Sequence, residues 1–198
     1  MLSSKYELRG DYKKAREMLY LVPERMGIDK KQQEASIYMK EGKLDEALRI
    51  LERSLQTRLN EIMVILMYLG ECAVKKENPE MAGHAAEAWE KTAVAFELWE
   101  YSSRVISFHT AVIQKDEDRA VSLLKSIIPA ALTPWNMKDT ALFRDIAPEE
   151  PGTGETQNAG KLLLPGLLSE LEHNPMYDFL QENAEFQSLL AEYKADYS

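Results

Sequence analysis

Apolar positions recur along this chain at helical spacing, three and four residues apart, and turns with one common offset punctuate them. Each turn is followed five residues later by an alanine inside an apolar stripe: Gly10 to Ala15, Gly42 to Ala47, Glu77 to Ala82 and Lys115 to Ala120. Consecutive alanines lie 32, 35 and 38 residues apart, which brackets the period of a two-helix solenoid repeat. A small residue at that point lets the second helix of a hairpin lie close on the first. The pattern predicts an all-α right-handed superhelix of antiparallel helical hairpins, an α-solenoid with a helical C-terminal cap.

Stop and start signals divide the helices. A helix over about 11–22 ends at Pro23, and helices over 29–41 and 44–57 are split by Gly42 as a left-handed stop. Helices over 60–76 and 79–98 follow, with Pro79 at a first helical position, and then 99–114 and 117–132, closed by Thr133-Pro134. These group into repeats at about 5–23, 29–57, 60–98 and 99–132, inside a repeat region 1–134. Residues 135–198 are expected to form a linker and a helical C-terminal cap on the same domain. That segment offers a short helix from about Asp139, a polar loop over 147–158 and an apolar run over 161–171 interrupted by Pro165-Gly166. Leu180, Phe186, Leu189, Leu190 and Tyr193 then mark a closing helical stripe.

Charge narrows the partners. Residues 1–60 hold 13 Lys/Arg against 10 Asp/Glu, whereas residues 61–198 hold 11 against 23. Affinity for nucleic acid comes mainly from basic side chains that release counterions, so no direct nucleic acid binding is expected. No run has the length and apolarity of a membrane span, and no leader pattern opens the chain, which leaves a cytoplasmic location as the expectation. Cys72 is the single cysteine and reads as an inert buried thiol.

Several residues match the tetratricopeptide (TPR) pattern. Ala35, Tyr38, Gly42, Ala47 and Leu51 stand at its small residue, tyrosine, turn glycine, alanine and second-helix apolar position. Tyr6, Gly10, Asp11, Tyr12 and Ala15 repeat the pattern, followed by Leu19 and Pro23. The third repeat keeps Leu66, Leu69, Gly70 and Ala82 with Ala73 in the tyrosine place, and the fourth keeps Ala120 and Leu124 with Phe108 where a small residue belongs. Phe96 to Tyr101, Leu132-Thr133-Pro134-Trp135, Leu142-Phe143-Arg144 and the Phe179 to Phe186 region resemble the TPR-like C-terminal half of Xre-type (Cro/C1-type) helix-turn-helix transcriptional regulators of Gram-positive bacteria. The resemblance implies a non-catalytic regulatory or protein-interaction domain that binds a peptide, a protein partner or its own copy. It also implies that the DNA-binding head lies outside this chain; Met26-Gly27-Ile28-Asp29 with Ile37 does not supply one. The alternative is a free-standing TPR scaffold without DNA-binding function.

If Ala120 sets the register, the inner face of such a solenoid carries Gln32, Ser36 and Met39, then Met67, Glu71 and Val74, then Ser102, Val105 and His109. That mixed, mildly apolar groove suits a peptide helix or an extended segment. The competing reading is that the long second helix or the C-terminal segment fills it. TPR modules that clamp carboxylate tails use Lys and Asn at these places, and Gln32, Ser36, Met67 and Glu71 stand there instead.

No catalytic chemistry is legible. His84, His109 and His173 fall on different repeats and lack metal-ligand spacing. Glu97 and Glu100 read as a solvated pair, Trp89, Phe96 and Trp99 as core packing, and Gly152-Thr153-Gly154 lacks the lysine of a phosphate loop. Neither an enzyme nor a metal or other cofactor is expected. The resemblance implies a homodimer, with Tyr12, Leu19 and Leu21 as incompletely covered apolar surface at one end or the C-terminal cap or the groove as the interface; the alternative is that a preceding half-helix covers that end and this chain alone stays monomeric or pairs artificially.

Overall fold

The computed structural model describes residues 2–22, 29–146 and 159–197. The expected stop at Pro23, the Met26-Gly27-Ile28 segment, the loop at 147–158 and its Gly152-Thr153-Gly154 run lie outside the described residues. Among the described residues every regular element is helical. The order is α1 (Leu2–Glu7), α2 (Tyr12–Tyr20), α3 (Lys30–Glu41), α4 (Leu44–Lys75), α5 (Pro79–Ala95), α6 (Glu100–Ser103) and α7 (Val105–Gln114). Then come α8 (Glu117–Leu132), a 3-10 turn at Met137–Asp139, α9 (Ala159–His173), a second at Pro175–Leu180, and α10 (Ala184–Tyr197).

The four turns read from the sequence share one backbone device. Gly10, Gly42, Glu77 and Lys115 all take positive φ, at 73°, 83°, 55° and 53°. In each, the left-handed residue donates its N–H to the carbonyl three back, and the next residue donates to the carbonyl four before the left-handed one. Gly42 to Met39 with Lys43 to Tyr38 is one case, and Lys115 to Val112 with Asp116 to Ala111 is another. This Schellman closure satisfies the last carbonyls of the helix. Asp11, Asn78 and Asp116 then accept from the N–H three residues on, capping the next helix. Stop and start are thus fused in two residues. Glu97, at φ 53°, repeats the closure after α5 without having been foreseen. Ala15, Ala47, Ala82 and Ala120 are all buried, at 2% exposure or less.

Three expectations need correction. The helices read over 44–57 and 60–76 are one helix, α4. Gln56 to Glu61 contains no glycine, proline or capping turn, and the break was inferred from the repeat period alone. The helix read over 99–114 is interrupted at Arg104. There the hydroxyls of Ser102 and Ser103 bond back to the carbonyls of Trp99 and Glu100, each at 2.7 Å, competing with the helical ladder. Finally, α9 runs through Pro165-Gly166. Both residues are exposed, so water can reach the Lys161 carbonyl that proline leaves without a donor.

The chain divides into two units, residues 1–60 with 142–149, and residues 61–141 with 150–198, so the division falls within α4. In the first unit Ala15, Leu19 and Ile37 form a small core flanked by Tyr6 and Tyr12. Leu19 is fully buried and Tyr12 partly so, which removes them as uncovered surface; Leu21 alone of the three stays open, at 73% exposure. Arg16 lies over the Tyr38 ring at 4.4 Å and pairs with Glu41 at 2.5 Å. Glu52 is buried, with one carboxylate oxygen lacking a partner, and interacts with the Asp145 backbone, which ties that residue to α4.

The second unit has a larger core. Phe108, Val121, Leu124 and Ile128 from α7 and α8 join Leu164, Leu168 and Leu171 of α9, and Leu180 and Phe186 beyond it. A smaller cluster joins Trp89, Ala86 and Ala93 of α5 with Ile106 of α7, covered by Met63, Leu66 and Met67 of α4. All three tryptophans belong to this unit: Trp89 donates to the Ser102 carbonyl at 2.7 Å, Trp99 to Ala130 and Trp135 to Glu97, both at 3.1 Å.

Candidate functional site

Inside the second unit, α4, α6, α7, α8 and α9 leave a cavity of about 140 Å³. Its wall is mostly apolar. Met67 comes from α4, Val105 and Phe108 from α7, Leu124 and Ile127 from α8, and Leu167 from α9. Helical spacing explains the α7 contribution, since Val105, Phe108, His109 and Val112 share one face of that helix. The closing wall comes from Glu170, Met176 and Tyr177. The Tyr177 ring stacks on Phe108 with centroids 6.0 Å apart, which holds the Pro175–Leu180 turn against α7.

Polar groups are few and strained electrostatically. His109 is 20% exposed, and its Nε2 is buried without a hydrogen-bond partner. The nearest carboxylate oxygen, Glu71 Oε2, is 3.9 Å away, an ion-pair distance too long for a hydrogen bond. Burial pushes the His109 imidazole below the ordinary histidine value, and Glu71 opposes that only in part. Glu71 itself is held below the usual carboxylate range, first by Lys75, whose ammonium bonds it at 2.5 Å. Burial also raises the phenols: Tyr101 moves up, and Tyr177 is pushed up to about 12, with the Glu170 charge adding to both. The site therefore holds a neutral imidazole with an open acceptor or donor position and two phenols that stay protonated.

Of the residues read from the sequence, Met67, Val105 and His109 meet at this cavity, and Glu71 faces His109. Ser102 is turned to structural work: its hydroxyl donates to Trp99 and its carbonyl accepts from Trp89. Gln32, Ser36 and Met39 lie on α3 in the first unit, where Asp29 caps the Gln32 N–H and Met39 is 54% exposed. Val74 is half-buried on α4. Tyr101, Glu170, Met176 and Tyr177 went unread. Register arguments work within a repeat, and no period ties residues 170–177 to residue 109. The cysteine expectation is corrected as well, because Cys72 is exposed on α4.

No group of His, Cys, Asp and Glu among the described residues is arranged to hold a metal ion, and none of their helices is long and apolar enough to cross a membrane. The chain matches no family model, no curated protein and no solved structure.

Proposed function

We propose that this chain is a non-catalytic interaction domain, the regulatory or assembly half of a bacterial transcription regulator similar to the Xre type. In this reading the helical hairpins form a TPR-like superhelix, and a DNA-binding head belongs to a separate segment. Support comes from the four equivalent turns, each followed at the same offset by a buried alanine. The acidic balance of residues 61–198 argues in the same direction, against direct contact with phosphates.

The observation that carries the binding reading is the cavity with the unpartnered His109 Nε2 on its wall. Its volume is near that of an apolar cavity that accepts one benzene-sized group, roughly 150 Å³. That is too small for a whole peptide and sufficient for one apolar anchor side chain, whose backbone or polar end would meet His109. Protein and peptide partners are therefore favoured over a bulky metabolite.

Peptide display against the wild type and against Val105→Trp, which fills the cavity, tests this. Peptides sharing one apolar anchor should be enriched on the wild type and lost on the variant. Absence of enrichment, or equal enrichment on both proteins, removes the reading.

A further inference from the structure

Besides His109, the cavity of the second unit carries three polar groups, Tyr101 from α6, Glu170 from the last turn of α9 and Tyr177 from the turn that follows. Buried phenols ordinarily find a hydrogen-bond partner. Tyr177 is only 8% exposed, yet its hydroxyl has none among the described residues, and neither has the hydroxyl of Tyr101. The Glu170 carboxylate has no cationic side chain paired with it among the described residues either. These groups are neighbours, because the Glu170 charge acts on both phenols and Tyr101 acts on Tyr177. Glu170 is exposed and Tyr177 buried, so the three run from solvent toward the interior. No lysine or arginine stands on the wall, and the Lys75 ammonium is held by Glu71.

We propose that this cavity takes an alkylammonium group, its short apolar stem among Met67, Phe108, Leu124 and Ile127 and its cation held by Glu170. This rests on the reading of the cavity as an anchor site and names the chemistry of the anchor. An ammonium brings three N–H donors and no acceptor. The wall answers with one carboxylate and two phenol oxygens, and each phenol keeps its own proton to donate in turn. The rings of Tyr101, Phe108 and Tyr177 on the same wall favour a cation through their negative faces. Exposure of Glu170 lets the charged end stay hydrated while the stem is buried, which avoids most of the desolvation cost. A carboxylate ligand would meet Glu170 with no cation on the wall to offset it. A purely apolar ligand would fill the space and leave both phenols unpaired. The volume of about 140 Å³ suits a stem no bulkier than benzene. Two sources offer this chemistry, the lysine side chain of a protein partner and a free primary amine.

NMR of the full chain with isotope-labelled methionine methyls reads entry at Met67 and Met176, both on the wall. Butylammonium, n-butanol and pentanoate share one stem and differ in charge. Butylammonium should shift both signals and bind about ten-fold tighter than n-butanol, with pentanoate the weakest. Glu170→Gln should bring butylammonium down to the affinity of n-butanol. Glu172→Gln, on the same helix but off the wall and paired with Lys194, should keep the preference. A glycine–serine peptide with one central lysine separates the sources. If it binds at least as tightly as butylammonium, the site belongs to a partner's lysine; if butylammonium binds and the peptide does not, the site belongs to a free amine. Equal affinity for butylammonium and n-butanol, tighter binding of pentanoate, or a preference that survives Glu170→Gln overturns the ammonium and leaves an apolar anchor site standing. If no probe moves either signal, the anchor site itself is wrong and the ammonium falls with it.

Discussion

Gly160 in the first turn of α9 allows a sharp test of how the C-terminal segment is docked. A Cβ at this position would lie 1.7 Å from the Ala131 carbonyl oxygen, 2.6 Å from its carbon and 3.1 Å from the Leu132 Cα. All three atoms are main chain, so no rotamer change relieves the overlap. Gly160→Ala must therefore push α9 away from the end of α8 by about 1.5 Å to restore an ordinary contact. Leu164, Leu168 and Leu171 pack in the same core as Leu124, Ile127 and Ile128, and a retreat of that size loosens all of them. A gap of 0.5–1 Å already forfeits about a quarter to a half of a contact's attraction, so the loss is about 3–4 kcal/mol. The gain in helix propensity from glycine to alanine returns about 1 kcal/mol. The net cost is about 2–3 kcal/mol, a fall of about 5–10 °C in the midpoint of a thermal melt. Gly166→Ala is the matched control: nothing lies within 4 Å of its Cβ, and the substitution should stabilise by about 0.5–1 kcal/mol. If Gly160→Ala melts at or above the wild type, the close approach of α9 to α8 is wrong.

Three further outcomes are expected. Burial holds the Glu52 carboxyl above the ordinary glutamate value, so the folded chain binds this proton more tightly than the unfolded one. That stability is full below the ordinary value and is lost as pH rises through the folded one. Glu52→Gln should therefore be more stable than the wild type in urea melts near pH 7, with the advantage gone by about pH 4; no advantage at neutral pH counts against the burial. By NMR, His109 should titrate below the ordinary histidine value, and Glu71→Gln should lower it further by removing the one opposing charge. Its stabilisation is present above the ordinary value and lost as pH falls through the depressed one, and an upward shift in Glu71→Gln would contradict the geometry. Trp89→Phe leaves the Ser102 carbonyl without its indole donor and opens space in a side chain only 1% exposed, costing about 2 kcal/mol in urea unfolding.

Local chemistry was the part of the fold that the sequence made legible. Glycine at 42, proline at 79 and the capping aspartate at 116 act within a few residues, and α8 follows its predicted span of 117–132 throughout. The turns at Glu77 and Lys115 show the same device without glycine, so composition alone hid their left-handed conformation. Joining 44–57 to 60–76 was missed because a repeat period is a statement about families of helices, whereas continuity depends on whether a stop residue is present. The site was half legible. Met67, Val105 and His109 follow from helical register, as Tyr101 four residues before Val105 could have, but Glu170 and Tyr177 reach the cavity through the docking of α9 and the following turn, a long-range contact that no local period encodes.

The placement of the aromatic residues has an optical consequence. Trp89, Trp99 and Trp135 are the chain's only tryptophans, and the first unit contains none; it carries Tyr6, Tyr12, Tyr20 and Tyr38 instead. Light at the red edge of the absorption band, where tyrosine is transparent, therefore excites the second unit alone. Light at shorter wavelength also excites those tyrosines, whose energy passes to tryptophan with an efficiency that falls steeply with separation. Tyr68, Tyr101, Tyr177, Tyr193 and Tyr197 lie in the second unit as well, and Tyr101 is only 4.9 Å from Trp99, so it is the red-edge emission that isolates one unit: an unlabelled signal of the second unit alone, readable in solution during unfolding or ligand addition.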